Sequence, residues 1–239
     1  METRVTEIAD GIHQLTTYVA EMDFSFNQYL VVADEPLLFH TGPRQMFPLV
    51  ADAVAGVVPV DTLQWSGFGH VEADECGSMN QWLAAAPRST VVQSMTGCMV
   101  SLTDLADRPP RPLATGQVLD IGGPPIAVDR HAPRAPWVGS RHLLRRDHPD
   151  SPLRRPLHPD RLPTSNTRDD ILAAAVAGED LFQASSLAPA SGTTVRGLAD
   201  LDIETLALMH GPAFTGDCGS ALLALANDFD RRIATAQAG

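Results

Sequence analysis

Gly67-Phe68-Gly69-His70-Val71-Glu72-Ala73-Asp74-Glu75-Cys76-Gly77-Ser78 packs one imidazole and three carboxylates into six positions between flanking glycines. It follows the strand-like run 61–65 and precedes a helical pattern over 78–86, with Met79, Trp82, Leu83 and Ala86 on one face. A strand that opens into such a loop turns alternate side chains toward a common point. His70 and Glu72 have that spacing, Asp74 continues their face, and Glu75 points elsewhere in an extended chain. Histidine with carboxylates suits a borderline metal such as zinc or iron, whereas acidic groups alone would suit calcium or magnesium. Without a metal, the same stretch reads as a solvated acidic loop.

Before this loop the chain reads as strands at 5–8, 11–19, 25–32 and 36–39, with apolar and polar residues partly alternating. The segment 43–54 has helical spacing (Met46, Leu49, Val50, Val54) behind a helix-opening Pro43. After the loop come a strand at 90–93, a short helix at 97–105 and a strand at 118–121. Arg108-Pro109-Pro110-Arg111-Pro112 is expected as surface loop, because proline fits neither a helix interior nor a central strand. A helix at 169–177, a strand at 204–209 ending at His210 and an amphipathic helix at 219–234 close the chain. No internal repeat is visible, and the pattern alone gives one mixed α and β domain over 1–239.

The 239 residues suffice for a substantial core, and 44% hydrophobic content is ordinary. A net charge of −12 disfavours nucleic acid and anionic membranes as partners, since both need a basic footprint. Residues 1–10 lack a basic stretch followed by an apolar one, and no apolar run approaches the roughly 18 residues of a membrane span. A cytoplasmic soluble protein is therefore expected. Cys76, Cys98 and Cys218 are too few and scattered for a disulfide framework. Neither a G-x-S-x-G nor a phosphate-binding glycine loop is present, so serine hydrolases and nucleotide enzymes have no support. His13 and His40 read as structural or surface residues, Cys76 as a small buried one, and Asp217-Cys218-Gly219 as a turn and helix cap.

Gly69-His70-Val71-Glu72-Ala73-Asp74 resembles the H-x-E-x-D-H signature of the flavodiiron branch of the metallo-β-lactamase superfamily. Asn27-Gln28-Tyr29-Leu30-Val31-Val32 resembles that family's N-x-Y-L-I-V strand, and Met209-His210-Gly211-Pro212 its late His-Gly. The similarity covers about residues 5–122 and 168–235. It implies an α/β four-layer αββα sandwich with a metal site at one sheet edge, where His70 and His210 converge. It implies two iron ions, with zinc as the alternative: His70 and Glu72 on the first, Asp74 and His210 on the second. Two positions depart from the pattern. Glu75 stands where a second His is usual and is expected to support a ligand or face solvent. His40 stands near the usual place of an Asp.

The resemblance also implies a His in an H-G-W-like turn and a bridging Asp, both between 123 and 168, and neither is there. That stretch is unusual in composition. All 17 basic residues are Arg, and eight of them, with four of the eight His, fall within 130–161; 124–163 holds nine of the 19 Pro. Read one base later, 130–141 can encode D-T-P-H-V-P-H-G-W-E-A-G, and 145–161 can encode D-E-T-T-R-T-L-L-C-G-D-L-F-T-Q-T-G. Trp137 has a single codon, which forces the Gly of H-G-W. The shifted strings hold both missing pieces, a His-Gly-Trp and an apolar strand ending in Cys-Gly-Asp. The expectation is that about 124–163 is out of frame; the alternative is a Pro/Arg-rich insertion. As written, Pro136 occupies the place of the His and Arg155 that of the Asp. Substitutes would have to come from His131, His142, His148, His158 or Asp147.

The expected function is that of an oxygen-binding di-iron domain, reducing O2 or NO, impaired as written to at most one weakly held ion. The chain ends without room for a flavodoxin-like domain, so an external electron donor is expected, and a homodimer is left open. The alternatives are a metal-dependent hydrolase of the same fold acting on an ester or thioester, or a non-catalytic homologue.

Overall fold

The computed structural model describes residues 1–114, 116–123, 126–127, 138–139, 166–183, 185 and 187–238. Strands β1 (Thr3–Ala9), β2 (Ile12–Val19) and β3 (Phe24–Val31) form an antiparallel meander, with β2 and β3 in register from Ile12↔Val31 to Val19↔Phe24. β4 (Leu37–Phe39) pairs antiparallel with β3, and β5 (Trp65–Gly67), β6 (Thr90–Ser94) and β7 (Arg111–Leu113) then add in parallel. The seven strands lie in chain order in one sheet. Each parallel step needs a crossover. These are α1 (Phe47–Ala55), then α2 (Ala73–Cys76) with α3 (Met79–Ala85), then α4 (Met95–Gly97), a π turn (Cys98–Leu102) and α5 (Thr103–Leu105).

Strand periodicity sorts the core into two faces. Ile12, Tyr29, Val31, Leu37 and Phe39 pack with Leu119, Ile121, Ile126 and Ala213 of a second layer. Leu15, Leu30 and Leu38 point the other way, against Met46, Val50 and Val54 of the α1 region and Trp82 of α3. The second layer comprises β8 (Val118–Leu119), β9 (Ile126–Ala127) and β10 (Val138–Gly139), which form an antiparallel sheet, and β11 (Asn166–Thr167), which pairs in parallel with β12 (Ala213–Phe214). Helices α6 (Ile171–Phe182), α7 (Ser191–Ala199) and α8 (Cys218–Ala238) complete the chain, α7 and α8 sharing Val195, Leu198, Leu222 and Ala226. Asp170 caps α6 through Leu172 N–H at 2.8 Å, and Asp217 caps α8 through Ser220 N–H at 2.9 Å, the latter as the sequence predicts. No described helix is long and apolar enough to cross a membrane.

Three local expectations need correction. The strand expected at 61–65 forms at Trp65–Gly67, because Thr62 closes a tight turn on the Pro59 carbonyl through both its N–H and hydroxyl. Arg111–Leu113 is strand rather than loop; it ends the sheet, where the missing N–H of Pro112 need not pair. Residues 204–209 form no strand, only a single bridge from Leu206 to Phe214. Most of the apparent frame anomaly, 124–125, 128–137 and 140–163, lies outside the described residues.

The α3 end is closed by Arg108. Its guanidinium donates to the carbonyls of Leu83, Ala86, Pro87 and Ser89, capping the last turn and the following loop. Arg108→Ala is expected to cost about 1.5–3 kcal/mol, because several carbonyls lose a charged donor at once. Lysine should restore only part, lacking the planar fork. Urea unfolding of the two variants checks this; equal stability of Ala and Arg proteins would contradict it.

Candidate metal centre

The parallel strands β4, β5 and β6 end at one sheet edge, which gathers the segments that follow them. His40 leaves β4 in a left-handed turn (φ 61°), its N–H held by the Gly67 carbonyl at 2.8 Å. Behind it, the Glu75 carbonyl accepts from both Thr41 N–H (2.6 Å) and Thr41 Oγ1 (3.0 Å), and Ser78 Oγ donates to the Thr41 carbonyl (2.6 Å). These bonds clamp 40–42 onto 75–78. From β6, Gln93 Nε2 donates to the Phe68 carbonyl at 2.5 Å and pins the loop that carries His70.

The extended reading of this loop does not hold: residues 69–72 bend, although Glu72 itself has extended dihedrals. Residues Ala73–Cys76 form a helical turn, in which successive side chains rotate by roughly 100°. Asp74 therefore departs from the extended spacing and meets His210, with Oδ2 3.6 Å from Nε2. Glu75 turns inward and is 1% exposed. Glu72 is exposed at the start of the turn and makes no capping bond. Cys76 is half-buried against the cluster around Phe68 and Met79.

Glu75 accepts from His70 N–H at 2.5 Å and from His70 Nδ1 at 2.9 Å, while His40 Nδ1 lies 3.7 Å from its other side. Burial pushes its pKa up, but the bonds from His70 and the nearby His40 ring outweigh this and leave it below the ordinary range. The carboxylate is thus ionised and acceptor-only, so His70 Nδ1 carries a proton. His40, buried, has its pKa lowered to about 4; burial outweighs the attraction of Glu75 and Asp74. At neutral pH it carries no charge, and the two bonds from His70 sustain the Glu75 carboxylate. The two departures from the family pattern, His40 and Glu75, thus face each other. Spacing alone could not pair them, since they lie far apart in sequence.

His210 is positioned by the β2–β3 hairpin. Asn27 Nδ2 donates to the carbonyls of Leu208 (2.8 Å) and Gly211 (2.6 Å), Tyr29 donates to Leu208, and Gln14 Nε2 to Gly211 (3.2 Å). Gly211, at φ 82°, makes the sharp turn, and its N–H donates to Ser25 Oγ at 2.8 Å. The imidazole packs on Phe24 and Phe26, and Nδ1 lies 2.9 Å from the Ser25 carbonyl. A carbonyl only accepts, so Nδ1 carries a proton, and Nε2 is the nitrogen turned toward the Asp74 carboxylate. Nε2 and Oδ2 lie 3.6 Å apart, a gap that either a ring proton or a cation would bridge. Ligand bonds of about 2.0–2.2 Å from each would meet at such an ion. Among the described residues, no group of three or more His, Cys, Asp or Glu is arranged to hold a metal. Asp74 and His210 thus form a pair of potential donors among the described residues, not a closed metal centre. Two grooves, one lined by Met95, Met99 and Arg108 and another by Glu179, Arg231 and Arg232, add nothing to this cluster.

The buried His40 makes stability acid-sensitive. Its pKa falls from 6.5 to about 4, so between those values the unfolded chain takes up a proton that the folded chain refuses. Stability is full above about pH 6.5 and declines by roughly 3 kcal/mol as pH falls to about 4. Glu75, depressed instead, contributes above the ordinary carboxylate range and loses that contribution as pH falls through its folded pKa. His40→Asn, tolerated in the same left-handed turn, should flatten the first step in urea unfolding between about pH 7 and about pH 5. An unchanged pH slope in the variant would contradict this.

No protein-family model and no curated protein sequence matches the chain. Solved structures do. Rubredoxin oxygen:oxidoreductase from Desulfovibrio gigas superposes with a TM-score of 0.67 at 15% identity, over 95% of this chain and 62% of that one. A metal-soaked flavodiiron core from Synechocystis sp. gives 0.66 at 16%, over 98% and 61%. A fragment of a diflavin flavoprotein from Nostoc sp. gives 0.64 at 14%, over 96% and 98%. The chain thus spans about three fifths of the first two proteins. What this likeness shows is the fold: a metallo-β-lactamase-like α/β sandwich, as in the flavodiiron core.

Proposed function

We propose that this chain is a metallo-β-lactamase-fold metal protein of the oxygen-binding di-iron kind, limited as written to at most one weakly held ion. The observation that carries the reading is the His210–Asp74 pair. The Ser25 carbonyl takes the Nδ1 proton, so Nε2 faces the Asp74 carboxylate 3.6 Å away at a strand-end edge. The likeness to a rubredoxin oxygen:oxidoreductase and to flavodiiron cores supports iron as the ion and O2 or NO as the substrate. Imidazole and carboxylate donors suit iron and also zinc. Asp74 and His210 would hold the ion, with His70 and Glu72 as donors for a first ion once Glu72 turns in from solvent. A bound iron would supply the change of oxidation state, with electrons from an external donor. The chain's own part is to hold His70 and His210 with Nδ1 protonated and to keep His40 neutral behind Glu75. A homodimer is compatible with this assignment.

A second reading, a non-catalytic homologue, is favoured by Pro136 and Arg155. Proline has no side-chain donor, and arginine stays protonated and would repel a cation. A hydrolase of the same fold is the third. Metal analysis of the purified protein separates them: iron with a visible absorption band supports the first, zinc alone the hydrolase, and no metal the non-catalytic homologue. His210→Gln should abolish the bound ion in a titration with Fe(II); full retention would remove Asp74 and His210 from the site.

A further inference from the structure

We propose that Glu75 is a positioning residue that holds His70 ready to ligate, rather than a ligand itself; this rests on the metal-binding reading above. Both oxygens of the carboxylate are already committed to one residue. Oε2 takes the His70 N–H at 2.5 Å, and Oε1 takes Nδ1 at 2.9 Å. The backbone of Glu75 is equally fixed: its carbonyl accepts twice from Thr41, and its N–H donates to Glu72 at 3.1 Å. The side chain is 1% exposed. To reach a metal it would have to break two charge-assisted bonds and leave a backbone N–H and a ring N–H unmet.

The neighbouring chain is shaped for this arrangement. A Cβ at Gly69 would come within 3.1 Å of Glu75 Oε2, so the absence of a side chain there leaves the carboxylate its place beneath the loop. The short turn Ala73–Cys76 is what swings Glu75 inward while Asp74 goes to His210. One turn thus delivers one carboxylate to the candidate ion and the next to the ring of His70. A carboxylate on Nδ1–H fixes the tautomer and makes Nε2 a better donor, the arrangement that orients histidine ligands in general. The same logic is already met at His210, where the Ser25 carbonyl takes the Nδ1 proton. Glu75 therefore gives His70 the Nδ1–H pattern that the Ser25 carbonyl gives His210.

The test uses the full-length, metal-free protein labelled with 15N histidine at mildly alkaline pH. Ring nitrogen shifts should show His70 as the Nδ1–H tautomer in the parent and as predominantly Nε2–H in Glu75→Ala. Glu75→Gln, which keeps one acceptor and the side-chain shape, should retain much of the Nδ1–H form and serves if the alanine variant folds poorly. Zinc titration should then show Kd raised about 10–100-fold in Glu75→Ala, and less in Glu75→Gln, where His70 joins the ion; an unchanged Kd in both variants would overturn His70 as a ligand. An Nε2–H His70 in the parent, or a tautomer unchanged in both variants, overturns the proposal. A tautomer that switches as expected in a protein that binds no zinc supports the positioning role and overturns the metal reading instead.

Discussion

Recoding 124–163 into the shifted frame is expected to raise the metal content from at most one weakly bound ion to two tightly bound ions per chain. The expectation follows from donor chemistry. As written, the described residues offer the His210–Asp74 pair and a pre-set His70, with Glu72 nearby in sequence but exposed. The resemblance calls for a further His and a bridging carboxylate, and the chain has Pro136 and Arg155 in their places. His131, His142, His148, His158 and Asp147 lie outside the described residues. Recruiting them would mean ordering a Pro/Arg-rich stretch with little apolar surface to offset its entropy. The shifted frame supplies an H-G-W and a Cys-Gly-Asp at the required places without that cost. Metal analysis of the parent and recoded proteins after exposure to Fe(II) measures the difference. Two tightly held ions in the parent would refute the expectation, as would a recoded protein that still holds one or none.

Trp82→Ala is expected to remove about 3–5 kcal/mol of stability, a large share of the roughly 5–15 kcal/mol typical of a folded domain. The indole is fully buried between the α1 region and the sheet, edge-on to Phe47 at 5.1 Å between ring centroids. Its Nε1–H donates to the Thr41 carbonyl at 3.2 Å, the same carbonyl that Ser78 holds. Thr41 in turn holds the Glu75 backbone, so the loss should reach the candidate site as well as the core. Trp82→Phe keeps most of the volume and forfeits mainly one hydrogen bond, about 1 kcal/mol. Urea unfolding of both variants, read with the His70 ring shifts, checks the link. A loss below about 1 kcal/mol for alanine would contradict the placement of Trp82 at the centre of this layer.

The parts of the fold that sequence made legible are those with strong periodicity. The β2–β3 hairpin, the α1 region and α8 each show a clear period of two or about 3.6 and lie where expected. Arg111–Leu113 was hidden by its proline, which an edge strand tolerates. The stretch 204–209 has strand-like composition, yet the Leu208 carbonyl is taken by the Asn27 and Tyr29 side chains, and the Met209 carbonyl accepts a lone backbone bond from Asn27 N–H rather than a strand ladder. That clamp gives Asn27 and Tyr29 a physical role that their motif alone did not disclose. At the site, Asp74 and His210 do meet, whereas Glu72 remains in solvent. Of the two expectations for Glu75, support of a ligand residue rather than exposure to solvent matches its bonds to His70, and the turn at Ala73–Cys76 is what brings it inward. His40 was read as incidental because its partner comes from a different crossover.

The claim that the missing ligands are written in a second frame is tested most directly by the nucleotide sequence across codons 120–170. The account predicts compensating one-base changes flanking the segment, near codon 124 and before codon 167, with the intervening bases encoding His-Gly-Trp and Cys-Gly-Asp. An unbroken, error-free frame through those codons would contradict it.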